Sequence, residues 1–214
     1  LHLSIRRQRQ MCIRDRSYGD IAERYYTVGQ YMKEVKDVSK AMAAAGDSYI
    51  CDEYLNAMGS PEAESVYVLH DLNNDGIEEF FIGLKFNYDI PYYVIYDVYT
   101  WKDGRAYQLM RGIGYRNGSC KICENGVIED NYSGSAWDGQ TLYHILPEGG
   151  IELETIDSVS SRRDGTVQSY YHWNELIDEN SLQTILEQYQ PESVTYVDCN
   201  RETIEQLRLS GIRK

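Results

Sequence analysis

Asn-Gly, Asp-Gly and Gly-Gly pairs recur between segments rich in β-branched and aromatic residues, and this repetition limits the possible folds most strongly. Because glycine and asparagine tolerate positive φ, such pairs favour the tight turns that join antiparallel strands. The turns lie at Asp103-Gly104, Asn125-Gly126, Gly149-Gly150 and Asp164-Gly165. The strand-like segments around them are 66–70, 79–84, 92–101, 106–111, 121–123, 127–132, 141–146, 151–156 and 166–173. The pattern predicts an antiparallel meander of about eight or nine strands, forming a curled sheet, an open barrel or a propeller-like fragment.

Helical patterns lie on both sides of this meander. Residues 18–45 carry apolar side chains at three- and four-residue steps, which predicts one long N-terminal helix. A shorter helix is predicted over 50–58. Near the other end, the segment Asp178-Glu-Asn-Ser181 is predicted to cap a helix over 182–189, and a last helix is predicted over 201–209.

These elements together predict an α+β fold. We expect a helical N-terminal region over 17–60 and an antiparallel β domain over 61–175. A C-terminal helical region over 176–214 is expected to pack on the β domain.

The first sixteen residues resemble the translation of a sequencing adapter. Residues 6–16 read RRQRQMCIRDR, which is similar to a translated transposase adapter, and Leu1-His2 fits the flow-cell end of the same adapter. We therefore expect residues 1–16 to be non-native and the native N-terminus to be missing. The alternative is a basic arm that binds nucleic acid or membrane.

The chain is strongly acidic. It carries 21 basic and 34 acidic residues, a net charge of −13. Since residues 1–16 contain five of the basic and one of the acidic residues, the rest carries 16 basic and 33 acidic residues, a net charge of −17. This balance argues against a nucleic-acid partner and favours cation binding. We also expect no transmembrane segment, because no stretch is apolar over the ~20 residues that a bilayer requires.

An acidic loop, Asp71-Leu-Asn-Asn-Asp-Gly-Ile-Glu-Glu79, lies between two hydrophobic segments. Hard cations such as Ca²⁺ prefer carboxylate, amide and carbonyl oxygens, and Gly76 allows the sharp turn that wraps an ion. The loop therefore predicts a structural calcium site. The predicted ligands, one of them through its main-chain carbonyl, are Asp71, Asn73, Asp75, Ile77 and Glu79. The alternative is an Asx-type turn that merely tolerates three acids.

The twelfth position of this loop distinguishes it from an EF-hand. An EF-hand loop ends in a bidentate glutamate, whereas Ile82 occupies that position here, inside an apolar strand-like segment. The flanking segments favour strands over helices. We therefore expect a β-hairpin pinned by calcium, with an affinity around 10⁻⁴–10⁻³ M and a contribution of the ion to folding.

The loop resembles the calcium loops of FG-GAP repeats in integrin-type propellers, whose pattern is D-x-D/N-x-D-G-x-x-D. Glu79 departs from that pattern, which usually has aspartate. More widely, 67–83 and 98–104 are similar to segments of uncharacterised secreted or lipoprotein-like proteins of gut Firmicutes. The resemblance covers most of 18–190, although only the acidic loop is specific. It implies an exported protein that is extracellular or attached to the cell surface, and it carries no established activity.

Cysteine and tyrosine leave alternatives open. A lone C-x-x-C, Cys120 with Cys123, lacks the second pair that a zinc site needs, and Cys51 and Cys199 are isolated. We expect packed thiols or one local disulfide.

The 20 tyrosines suit a half-solvated sheet. The alternative is a tyrosine-lined surface for sugar or peptide.

No motif of a known enzyme class is present, so the function rests on the loop. The sequence favours a calcium-stabilised extracellular binding or accessory module, with a glycan or protein as its unknown ligand. The alternatives are a cell-surface hydrolase acting on glycans or peptides, and a protein-interaction or inhibitor domain. Trp137 and His144 are the predicted ligand contacts outside the loop.

Overall fold

A computed structural model describes residues 17–45, 50–113, 120–133, 137–146, 150–160 and 167–211. The fold is α+β, as predicted, with two antiparallel sheets. Two compact units share it. The first consists of Leu1–Leu69, Glu78–Gly112 and Tyr196–Lys214, and the second of His70–Ile77 and Ile113–Thr195.

Five α-helices lie in the described residues, in chain order: α1 Tyr18–Val35, α2 Val38–Ala45, α3 Asp52–Met58, α4 Glu179–Leu186 and α5 Arg201–Gly211. The predicted N-terminal helix and both C-terminal helices are therefore present. Within the predicted capping segment, Asp178 caps α4, because its carboxylate accepts a hydrogen bond from the Ser181 backbone N–H at 2.7 Å, and the helix begins three residues earlier than predicted. Among these helices, none has the length and apolar character that crossing a bilayer requires.

The single helix predicted over 18–45 is interrupted. Lys36 adopts a left-handed conformation with φ of 51°, and its N–H donates to the Met32 carbonyl to close α1. Asp37 then accepts a hydrogen bond from the Lys40 backbone N–H at 3.1 Å, which begins α2. The apolar spacing continues across the break, so periodicity alone predicted one helix.

Replacing Lys36 with glycine is expected to stabilise the protein by about 0.5–1 kcal/mol, because a side chain at positive φ costs energy that glycine avoids. The free energy of unfolding in urea measures this change. Lys33→Gly, within the last turn of α1, is the matched control and should destabilise by about 1 kcal/mol. Equal effects of the two substitutions would contradict the helix break.

Eleven strands are described: β1 Ala63–His70, β2 Glu79–Phe86, β3 Tyr92–Lys102, β4 Arg105–Arg111, β5 Cys120–Cys123, β6 Val127–Ser133, β7 Trp137–Ile145, β8 Ile151–Ser160, β9 Val167–His172, β10 Glu175–Ile177 and β11 Val197–Asp198. The prediction of one meander of about eight or nine strands is therefore wrong in number, and the strands form two sheets. Within the described residues, neither sheet closes into a barrel.

The first unit combines the sheet β11-β1-β2-β3-β4 with four of the helices. The buried side of α1, which includes Tyr25 and Met32, belongs to the same core as alternate residues of β2, Phe80, Ile82 and Leu84. Alternation along a strand and helical spacing along α1 therefore supply the two sides of one hydrophobic core.

The second unit is built on the sheet β10-β9-β8-β7-β6-β5 and helix α4. One face of this sheet contributes Val127, Leu142 and Ile156 to a core that also contains Leu182 of α4. The register explains this grouping, because residues directly opposite each other on neighbouring strands share a face. The same face carries the polar cluster described below.

Candidate functional site

The acidic loop between β1 and β2 folds around its own backbone N–H groups. Asp71 accepts hydrogen bonds from the N–H groups of Asp75, at 3.1 Å, and Gly76, at 2.9 Å. The Asn73 amide oxygen accepts from the same Asp75 N–H at 3.1 Å, and Asp75 accepts from Ile77 N–H at 2.7 Å. The side-chain oxygens of Asp71 and Asn73 therefore converge on one point of the backbone.

Two residues with positive φ make this turn possible. Asn74 has φ of 58°, and Gly76 has φ of 85° with open space where a Cβ would lie. Glycine at the latter position was predicted from the sequence for this reason. The exposed side of the loop is therefore free of packed neighbours at Gly76.

The rest of the loop is fixed by contacts within the second unit. The Asn73 side-chain N–H donates to the Leu146 carbonyl at 3.1 Å. A Cβ on Gly126, in the turn before β6, would lie only 3.1 Å from the Leu72 carbonyl oxygen. The amide oxygen of Asn73 consequently faces the loop while its N–H₂ group faces Leu146, the residue after β7.

The five predicted ligands are not all equivalent. Asp71, Asn73 and Asp75 come together in the second unit, and Ile77 closes the turn with its N–H. Glu79 belongs to β2 of the first unit, where it is fully buried and accepts a hydrogen bond from the Thr100 hydroxyl at 2.9 Å. Its role as a fifth ligand stays a prediction.

The donor set fits a hard cation in chemistry, because it offers carboxylate and amide oxygens only. Each carboxylate oxygen has two lone pairs, so the backbone hydrogen bonds leave acceptor capacity on Asp71 and Asp75. Among the described residues, no three histidine, cysteine or acidic side chains form a ready metal cluster. An ion in this loop would depend on Asn73 and main-chain carbonyls as well.

His144, a predicted ligand contact, lies in a cluster around Glu154. Its Nε2 contacts one Glu154 oxygen at 2.9 Å, and His172 Nε2 contacts the other at 2.7 Å. The Tyr189 hydroxyl donates to Glu154 at 2.8 Å. The two imidazoles thus lie on either side of one carboxylate, on the strands β7 and β9 that flank β8 in the sheet.

The hydrogen bonds control the ionisation of this carboxylate. Burial by itself raises the pKa of Glu154, but the bonds from Tyr189, His172 and His144 outweigh it and place the pKa below the ordinary value. Burial and the bond to Glu154 in turn raise the pKa of Tyr189. The carboxylate therefore stays ionised as a fixed acceptor.

Sequence reasoning did not group these residues, although a signal was present. Between β7 and β8, Leu142 is opposite Glu154, so His144 lies one diagonal step away on the same face. In the next hairpin, Ile156 is opposite His172, which gives the same diagonal step. Writing out the register of both hairpins would have predicted the cluster.

Two other predicted features have simpler outcomes. Trp137 begins β7, and its side chain lies outside the described residues.

All four cysteines in the described residues are buried and free. Burial, followed by the charge of Glu129, raises the pKa of Cys123 to about 11, and burial raises that of Cys120 well above its usual range. Neither thiol of the C-x-x-C is therefore a reactive thiolate at neutral pH.

Comparisons with known proteins add no assignment: no family model, curated protein or solved structure matches the chain.

Proposed function

We propose that the protein is a calcium-stabilised extracellular binding or accessory module. The observation that carries this proposal is the convergence of the Asp71 and Asn73 side-chain oxygens on the Asp75 N–H, in a loop with oxygen donors only. Asp71, Asn73 and Asp75 would hold the ion, with the Ile77 carbonyl as a further ligand. The ion would neutralise the carboxylates and fix the turn.

The proposed extracellular location follows from the calcium affinity expected of such a site. A short loop with two or three carboxylates matches the weak calcium sites of extracellular modules, around 10⁻⁴–10⁻³ M. Calcium at such levels is abundant outside cells. A site of this strength serves folding better than signalling.

Calcium at about 10 mM is expected to raise the melting temperature by about 3–10 °C. Binding to the folded state alone contributes RT ln(1 + [L]/Kd), about 1.4–2.7 kcal/mol for the affinities above. About 2–4 °C per kcal/mol is typical for a chain of this size. Thermal melting followed by circular dichroism, with calcium and with chelator, measures the shift.

Asp75→Asn is the sharpest variant, because an amide oxygen can still accept from the Ile77 N–H while the charge is lost. It should keep the melting temperature in chelator and lose most of the calcium response. Asp103→Asn is the matched control, since Asp103 also precedes a turn glycine and is exposed. A calcium response that is equal in both variants, or absent from the unmodified protein, would refute the calcium proposal.

The hydrolase alternative gains little from the Glu154 cluster. A general acid needs a raised pKa, whereas the pKa of Glu154 is lowered by its hydrogen bonds. Both carboxylate oxygens already accept hydrogen bonds from Tyr189 or the histidines. The cluster therefore resembles a structural hydrogen-bond network more than a pair of acid–base catalysts.

A further inference from the structure

The connection between β2 and β3 exposes an unusual amount of apolar surface. Ile90 is 83% exposed, Tyr88 is 50% exposed and Tyr92 is 48% exposed. They lie within five residues of one another in the first unit. Scattered exposed apolar residues are ordinary, but a contiguous group of this kind points to a binding surface.

The two tyrosines are held in one orientation by a buried neighbour. Tyr92 is opposite Phe86 in the strand register, and their rings stack with centroids 4.8 Å apart and planes at 16°. The Tyr88 ring lies 5.9 Å from the Tyr92 ring, at 14°. Because Phe86 is only 7% exposed, the three nearly parallel rings form a stack anchored in the core.

Polar groups lie beside this stack of rings. Glu62, Asn87 and Asp89 line a shallow open depression of about 690 Å³ together with Tyr88, Ile90 and Tyr92. The Asn87 N–H donates to the Glu62 carbonyl at 3.0 Å, which ties the loop to the start of β1. A hydrogen bond from the Ser60 hydroxyl lowers the pKa of Glu62, so this carboxylate is ionised and acts only as an acceptor.

We propose that the tyrosine platform, Tyr88 and Tyr92 with the rim residues Glu62, Asn87 and Asp89, binds a neutral glycan. The C–H face of a pyranose ring is apolar, so it packs on the exposed part of the stacked tyrosine rings by dispersion and by burial of apolar surface. Its hydroxyl groups are donors that the rim carboxylates and the Asn87 amide accept. The inference deepens the binding function proposed above by naming the ligand class.

Charge and size argue against two other classes of ligand. Two carboxylates at the rim repel phosphate, nucleic acid and acidic sugars. A stable protein interface covers about 800 Å² on each partner, far more than three apolar side chains provide. The acceptor-rich rim complements the many hydroxyl donors of a sugar.

Affinity electrophoresis tests the proposal, using native gels that contain galactomannan, mixed-linkage β-glucan or xylan. Retardation is expected in at least one of the three gels. Tyr88→Ala and Tyr92→Ala should each weaken binding by about tenfold or more, while Tyr92→Trp should retain it. Tyr107→Ala is the matched control, because Tyr107 is a 51% exposed tyrosine of β4 outside the depression. Circular dichroism verifies that each variant is folded.

Several outcomes would overturn the inference. They are the absence of retardation in all three gels, retardation that persists in Tyr88→Ala and Tyr92→Ala, and equal loss in Tyr107→Ala. Concentration-dependent dimerisation that disappears in Ile90→Asn would instead assign the surface to a second copy of the chain. Gels run with chelator separate the two proposals. Retardation should persist in chelator because the platform lies in the first unit, whereas the calcium proposal is tested by the shift in melting temperature.

Discussion

Glu154→Ala is expected to lower the free energy of unfolding by about 2–3 kcal/mol. The substitution removes the acceptor of three hydrogen bonds and leaves the donors of His144, His172 and Tyr189 without it. Unpaired buried donors cost about 1–3 kcal/mol each. The histidine side chains are 26–27% exposed, so water compensates for part of this loss.

The control for this variant lies two residues away. Glu152 is exposed on the same face of β8, directly opposite His144 in the register. Glu152→Ala should change stability by less than about 0.5 kcal/mol, as surface substitutions do. Urea unfolding followed by tryptophan fluorescence is suitable, because the Trp173 ring lies 6.1 Å from His172. Equal losses of stability in the two variants would show that the hydrogen bonds to Glu154 do not stabilise the fold.

The dependence on pH gives this prediction a second readout. The folded pKa of Glu154 lies below its ordinary value of 4.5, so its contribution is complete above that value. The contribution disappears as the pH falls through the folded pKa. The difference between the unmodified protein and Glu154→Ala should therefore shrink in acid, and a constant difference would contradict the hydrogen-bonded carboxylate.

Local signals predicted most of the secondary structure, and their limits explain the rest. β10 was missed because its turn consists of Trp173 and Asn174, with φ of 53° and 64°. Positive φ at both positions of a two-residue turn is typical of hairpins, but tryptophan is not a usual signal for it. The division into two sheets was also missed, since strand order depends on contacts that are distant in sequence.

The candidate sites divide in the same way. The turn of the loop Asp71–Ile77 was predictable because its acidic spacing and its turn glycine are local, whereas its calcium ligands stay a prediction. The tyrosine platform was not predicted, since it depends on the pairing of Phe86 with Tyr92 across two strands. Twenty tyrosines in the sequence offered no means of choosing these two. The strand register is therefore needed to predict which tyrosines come together on one surface.

Asp97 leads to the second large prediction, which concerns the first unit. This residue of β3 is fully buried, and its carboxylate accepts hydrogen bonds from the Tyr25 hydroxyl and, at 3.0 Å, from the Gly112 N–H. Burial raises the pKa of Asp97 to about 6, and the hydrogen bonds and the charge of Arg111 offset the effect only in part.

Stability should therefore decline as this group ionises. The folded state holds the proton up to about pH 6, whereas an unfolded chain releases it near the ordinary value of 3.8. The contribution to stability is complete below pH 3.8 and is lost as the pH rises to about 6. Between pH 4.5 and 7.5 the loss amounts to about 2 kcal/mol.

Asp97→Asn isolates this contribution, because the amide can still accept from Gly112 and is neutral at every pH. Relative to the unmodified protein, the variant should gain about 2 kcal/mol between pH 4.5 and 7.5, as measured by urea unfolding at both values. Asp103→Asn, at an exposed turn of the same sheet, should gain almost nothing. Parallel profiles for the unmodified protein and Asp97→Asn would show that Asp97 ionises at an ordinary pH, so that its hydrogen bonds offset the cost of burial completely.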